Sequence, residues 1–194
     1  WVVEGVAREL RGSLEAAHDD IAGLGAQLDA YFAGSRRAFD VEIDWSRPHR
    51  VLEKLDGSMV HPAMLRGNLV FMTMLGTTDI AKQALAFAME HPSIDYRGFC
   101  HELLELNLLP IFEWCSRANR VVIDYPQPML VLTGVRARTS GRYATYQAML
   151  DYAAPFRVPV VNSWDTSIVD IDAFVEHTRA LKNREGYVVA FEDG

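Results

Sequence analysis

Residues 51–60 read Val-Leu-Glu-Lys-Leu-Asp-Gly-Ser-Met-Val, two short apolar runs on either side of a polar break. Aliphatic and β-branched residues around an Asp-Gly pair predict strand, turn, strand. A lysine at the end of such a strand is held by the sheet and can be aimed at a pocket. The amine of a free lysine titrates near about 10.4, so at neutral pH it is protonated and a poor nucleophile. Neighbouring cations and partial desolvation lower that value enough for attack on phosphorus. Lys54 is therefore a candidate nucleophile. Asp56 is placed to hold a hydrated metal ion or a ribose, and Gly57 lets the backbone approach a ligand. An ordinary exposed hairpin turn satisfies the same letters, so this segment alone does not decide the chemistry.

The rest of the chain supplies a scaffold of mixed type. Apolar residues at Leu14, Ala17, Ile21, Leu24, Leu28 and Phe32 recur at helical spacing within 8–32. Residues 36–48 read as an irregular connection, and 69–75 as an apolar run ended by Gly76. Thr78 caps a helix that begins at Asp79 and stops at Pro92, and a second helix fits 96–106. Strand-like runs follow at 110–114, 120–125 and 129–135, then a turn at 140–142. A helix over 146–154 ends at Pro155, and 158–161 reads as a short strand. Asp170 caps a helix through Lys182, and 186–191 reads as a last strand. Strands and helices alternate without a strict βαβ order. The expected class is α+β, with mostly antiparallel sheets flanked by helices.

Three further segments carry charge where chemistry needs it. Pro110-Ile111-Phe112-Glu113-Trp114 sets a carboxylate between two aromatics in an apolar strand. Buried, Glu113 needs a partner or a ligand. On the outer face of an alternating strand it needs neither. Arg184-Glu185-Gly186-Tyr187 opens an apolar strand with a carboxylate and a glycine. Glu185 suits a divalent cation and Gly186 admits a phosphate or nucleotide, or else Gly186 only caps the preceding helix. Arg11, followed by Gly12 within Ala-Arg-Glu-Leu-Arg-Gly, either forks onto a phosphate or ribose or belongs to a surface charge cluster.

Composition narrows the classes. The 194 residues fit one domain, and 49% hydrophobic content is enough for a core. No apolar run approaches the length of a membrane helix. A net charge of -7 argues against a protein that coats nucleic acid generally, but not against a local basic groove. Cys100 and Cys115 form no CxxC or Cys/His metal spacing and read as reduced thiols of a cytoplasmic protein. No signal peptide is visible at Trp1, and the lack of an initiator Met reads as a fragment.

The order of these segments resembles the RNA ligase branch of the covalent nucleotidyltransferase superfamily, of the phage RNA ligase 1 type. Residues 7–12 are similar to its upstream arginine motif, Lys54-Leu-Asp-Gly-Ser to motif I, and Phe112-Glu113-Trp114 with 119–123 to motif III. Leu132-Thr-Gly-Val-Arg136 with Ser140-Gly141-Arg142-Tyr143 is similar to motif IIIa, and Arg184-Glu185-Gly186-Tyr187-Val188 to motif IV. The resemblance implies an adenylyltransferase domain over 1–194 that uses ATP with Mg²⁺ or Mn²⁺ and joins 5′-phosphate to 3′-hydroxyl RNA ends through lysyl-AMP on Lys54. It implies that Arg11 and Glu113 hold the ribose and neighbouring groups, that Glu185 binds metal, and that Asp56 and Gly57 shape the pocket. Broken tRNA would be one such substrate. An end-healing kinase-phosphatase or a C-terminal RNA-binding domain would lie outside this chain. Three features depart from the pattern. A Lys-x-Lys motif V would fall beyond Gly194, 71–76 holds no lysine, and no Phe-Phe-Asn precedes motif I. They motivate one alternative, a non-catalytic relative that binds adenylate or RNA ends. A DNA ligase or capping-type transferase, which also uses Lys-x-Asp-Gly, is the other.

Overall fold

The computed structural model describes residues 43–120, 122–164, 168, 170–182 and 184–192. The helix expected over 8–32, with Arg8 and Arg11, lies outside the described residues. Two antiparallel sheets organise the unit that begins at Trp45. The smaller has three strands: β1 (His49–Lys54) lies between β6 (Ser163–Trp164) and β7 (Gly186–Phe191). The larger has four, in the order β3 (Asn68–Met72), β2 (Ser58–Leu65), β4 (Leu108–Cys115), β5 (Met129–Ala137). With four α-helices among the described residues, the α+β expectation holds.

The helices follow from local chemistry. α1 (Asp79–Glu90) starts where Thr78 accepts the Ala81 amide, and ends at His91, the residue before Pro92, where helical backbone is disfavoured. Its buried side chains, Ala81, Ala84 and Ala88, are small enough to let the helix lie close to the sheet. α2 (Tyr96–Glu105) is capped by Asp95, which accepts the Gly98 amide. It buries Tyr96, Phe99, Cys100 and Leu103, one apolar stripe at helical spacing. α3 (Tyr146–Ala153) and α4 (Ile171–Arg179) have Thr145 and Asp170 as caps. No helix among the described residues is long and apolar enough to cross a membrane.

The main core lies where α1 and α2 pack on the four-stranded sheet. Phe71 stacks on Phe112 at 5.9 Å between centroids, and Phe99 and Tyr96 meet Phe112 edge to face. Each such ring, fully buried, contributes about 1.5–3 kcal/mol. The Tyr96 hydroxyl, buried with its ring, donates to the Leu130 carbonyl at 2.7 Å and so crosses from helix to sheet.

Three expectations about elements change. The Lys54–Ser58 segment is not a hairpin, because β1 pairs with β6 and β7 while β2 pairs with β3 and β4. The Asp-Gly corner carries the chain from one sheet to the other. Residues 122–125 form a loop and not a strand, and Val122 is 68% exposed. Residues 158–161 reduce to one parallel bridge, Val160 with Leu132.

Candidate active site

Strand alternation decides what faces the space between the sheets. On β1, Arg50, Leu52 and Lys54 share a face, and on β4 Ile111 and Glu113 share one. The intervening residues of β4, Phe112 and Trp114, are buried in the core. The two readings of Glu113 therefore merge. It does lie on the face opposite the aromatics, and that face lines a cleft of about 880 Å³. Lys54, Glu113 and Glu185 line this one cleft.

The reactive end is built at the β1–β7 register. Lys54 pairs with Gly186, which puts Glu185 beside the lysine side chain. The ammonium donates to Glu185 Oε1, with 45% of the lysine and 31% of the glutamate side chain accessible. The amine is thus neither sealed in the core nor loose in solvent. Gly186 has φ +143°, a conformation that side chains rarely adopt, so the strand start requires glycine.

Glu113 closes the site from the other sheet. Its Oε1 accepts the Gly57 amide at 3.1 Å. Burial pushes its carboxyl up to about 7. The Gly57 hydrogen bond opposes that shift, the charge of Glu185 adds to it, Lys54 opposes it, and Asp56 adds to it. Glu113 therefore senses the charge of all three neighbours.

Asp56 and Gly57 line the same cleft as Lys54, and both are also engaged by protein contacts. Asp56 is 4% exposed, and its Oδ2 accepts the Val122 amide at 2.6 Å and the Ile123 amide. Its own amide donates to the Tyr125 hydroxyl at 3.0 Å. The carboxylate that sequence assigns to a metal is thus engaged in fixing the loop after β4. Gly57 is required by protein contact. A Cβ there would strike the Trp114 carbonyl oxygen and lie 2.8 Å from Cys115 Sγ. Cys100 and Cys115 are both buried and free, and burial pushes the Cys115 thiol up to about 12, so it stays protonated.

Several contributors carry no chemical motif in the sequence. Tyr125 anchors the corner. Thr133 is the extra residue of a β-bulge, donates to the Ile111 carbonyl at 3.2 Å and lines the cleft. Asn162 donates to Glu53 Oε2 at 2.7 Å. Arg50 pairs with Glu192 at 2.7 Å and lies over the Tyr146 ring at 5.5 Å, at the other end of β1 from Lys54. Only Arg50 has a usable signal, its even spacing from Lys54 along one strand.

The donor set bears on a metal. Among the described residues, no group of three or more His, Cys, Asp or Glu side chains could hold an ion alone. Magnesium keeps several waters and takes one or two carboxylates with substrate phosphates. Glu185, with Glu113 close enough to feel its charge, fits that habit and does not fit a closed zinc site.

Comparison with known proteins bears on the same cleft. A family model described as RNA ligase matches residues 35–194. A protein of Thermovibrio ammonificans, whose name assigns it provisionally to the RNA ligases, is 35% identical over 98 residues, 50% of this chain and 25% of that protein. An archaeal ATP-dependent RNA ligase structure superposes with TM-score 0.56 at 22% identity, covering 73% of this chain and 38% of its own. Naegleria gruberi RNA ligase with PPi gives TM-score 0.59 at 17% identity, covering 76% and 47%. A mutant of that enzyme with ATP and Mn gives TM-score 0.57 at 18% identity, with the same coverage. The chain spans a quarter of the curated relative and less than half of these structures, whose likeness is one of fold.

Proposed function

Because the chain belongs to the RNA ligase family, we propose that it is the adenylyl-transfer part of an ATP-dependent RNA ligase, with Lys54 as the residue that carries AMP. One observation supports this most: Lys54 at the end of β1, Glu113 in β4 and Glu185 just before β7 belong to two sheets and line one cleft. The ATP and Mn of the Naegleria gruberi structure support the same choice of substrate and cation.

The chemistry follows from the arrangement. Lys54 Nζ attacks the α-phosphorus of ATP. The N–P bond forms as the bond to the bridging oxygen breaks, and pyrophosphate leaves with the electron pair. A 5′-phosphate oxygen of RNA then attacks the same phosphorus, the N–P bond breaks, and AMP passes to the RNA end. A 3′-hydroxyl oxygen finally attacks the RNA phosphorus, expels AMP and makes the phosphodiester. Such transfers need alignment and charge neutralisation more than covalent help from the protein.

The residues divide this labour. The β1 strand aims the amine. In the free protein its ammonium is held by Glu185, and the attacking electron pair is available only once the proton has left. A Mg²⁺ or Mn²⁺ ion on Glu185 would neutralise phosphate charge and draw that carboxylate from the ammonium. Glu113 takes the ribose edge of the nucleotide. Asp56 positions the corner by holding the 122–125 loop and is not needed as a metal ligand. Apolar Leu52 and Ile111 line the cleft beside the polar groups and suit a base.

Incubation of the full-length protein with α-labelled ATP and Mg²⁺ tests the reading. Label that precipitates with the protein, is stable in alkali and is released by acid, as a phosphoramidate requires, should appear and should vanish in Lys54→Ala. No label on a folded full-length protein would favour a non-catalytic relative, and label from GTP instead would favour a capping-type enzyme.

A further inference from the structure

An acid-free, arginine-bearing stretch lies outside the motif carboxylates. Net charge is -7, yet no Asp or Glu occurs between Asp124 and Asp151, and this stretch holds Arg136, Arg138 and Arg142. All three arginines are exposed. Arg136 is the penultimate residue of β5, and Arg138 lies in the turn that follows, where its amide donates to the Asn107 carbonyl at 3.0 Å. A tight return, with Ala137 donating to Arg142 at 2.8 Å and Ala144 to Val135 at 2.8 Å, brings Arg142 and Tyr143 back beside them.

The return is built around Arg136 and Tyr143. Arg136 Nε donates to the Gly141 carbonyl at 2.9 Å, and its guanidinium lies 5.9 Å from the Tyr143 ring centre. A Cβ at Gly141 would fall 2.8 Å from Arg136 Nη2, and Gly141 has φ +74°, so glycine there serves the arginine twice. The Tyr143 ring lies over Gly134, where a Cβ would sit only 3.4 Å from it. The residue remains 54% exposed. Tyr143 also lines the cleft that holds Lys54. Gly134 pairs with Ile111, two residues or about 7 Å along β4 from Glu113.

We propose that Arg136, Arg138, Arg142 and Tyr143 form the surface that takes the single-stranded RNA leading to the end being joined. The arginines meet backbone phosphates, and the tyrosine ring stacks a base at the mouth of the cleft. Single-strand binding surfaces combine these two features, a cationic track and an aromatic face. An arginine already seated on its turn loses little freedom on binding. The inference rests on the ligase reading and adds where that reaction's RNA lies.

The test is fluorescence anisotropy of a 5′-phosphorylated, mixed-sequence single-stranded RNA of about 12 nucleotides (several phosphates per site) with the full-length protein, across a salt series. Arg138→Glu reverses one charge on an exposed side chain and should weaken binding about fivefold to tenfold, with the log–log salt slope falling by about 0.7 for each phosphate that is no longer neutralised. Arg136→Ala should do the same, and Tyr143→Ala should weaken binding with little change in slope. Unchanged affinity and slope in Arg138→Glu and Arg136→Ala would overturn the proposal. So would a Tyr143→Ala protein that binds RNA normally but needs more ATP for labelling, since the ring would then serve the nucleotide. Label from α-labelled ATP is read on the same wild-type preparation. Failure of the ligase reading, no label, is thus distinct from failure of this surface, no change in anisotropy.

Discussion

The two walls of the cleft are built to different standards. The four-stranded wall is backed by α1 and α2 and buries Phe71, Phe99, Phe112, Trp114, Leu130 and Leu132 against them. Among the described residues the three-stranded wall has no such backing. Leu52 is its one member of a small buried cluster completed by Val131 and Val161. On its outer face Val51 is buried, Trp164 and Tyr187 are partly accessible, Tyr187 meets Phe174 of α4, and α4 buries no residue fully. The lysine and its partner Glu185 stand on the thin wall, while Glu113 stands on the thick one. A rigid wall fixes one carboxylate. A lightly packed wall leaves the amine and its counter-ion room to change partners when nucleotide enters. Closely packed interiors do not grant that freedom.

Substitutions can break or sharpen this contrast. Phe112→Ala should have the largest effect, a loss of about 3–5 kcal/mol in denaturant unfolding, because the ring is fully buried among three others. Asp56→Ala should cost about 2–3 kcal/mol, since it leaves the Val122 and Ile123 amides without their charged acceptor. It should also slow labelling of Lys54. If stability is unchanged, Asp56 does not hold the loop. Tyr187→Ala on the thin wall should cost only about 1–2 kcal/mol, the ring being half-buried. A loss equal to that of Phe112→Ala would erase the difference between the walls.

The smallest expected effect concerns pH. Glu113 has a folded-state value of about 7, above its ordinary 4.5. The folded protein therefore keeps this proton where the unfolded chain has released it. Stability from this group is complete below about 4.5 and is lost as pH rises towards about 7. Glu113→Gln should flatten that decline in a series of thermal melts. It should also remove a step near pH 7 from the rate of labelling, while lowering the rate itself. Parallel profiles for the two proteins would show that Glu113 does not titrate there.

How far the sequence could be read depends on the range of the interaction. Capping and helical spacing are local, and α1, α2 and α3 fall where Thr78, Asp95 and Thr145 begin them. Strand alternation is local too, and it separates Glu113 from Phe112 and Trp114. Strand pairing is not local. Asp56-Gly57 has the letters of a hairpin, but nothing near it states that β1 will pair with β7, over a hundred and thirty residues on in the register of Lys54 with Gly186. Val121-Val122-Ile123 has the composition of a strand, yet two amides of 122 and 123 are claimed by Asp56, more than sixty residues earlier. The same long-range bond changes what Asp56 can do, so the motif letter is legible and its role is not. Lys54, Glu113 and Glu185 are brought together by sheet topology, and collinear resemblance points to them without any knowledge of that topology. Arg11 lies outside the described residues.

The account stands on the amine at Lys54 forming a bond to adenylate. Peptide mapping by mass spectrometry of the full-length protein, after ATP and Mg²⁺ without RNA, addresses it directly. The account predicts one AMP, bound through nitrogen, on the peptide containing Lys54. An adenylate on any other residue, or an unmodified Lys54 peptide from a protein that nevertheless joins RNA, would contradict it.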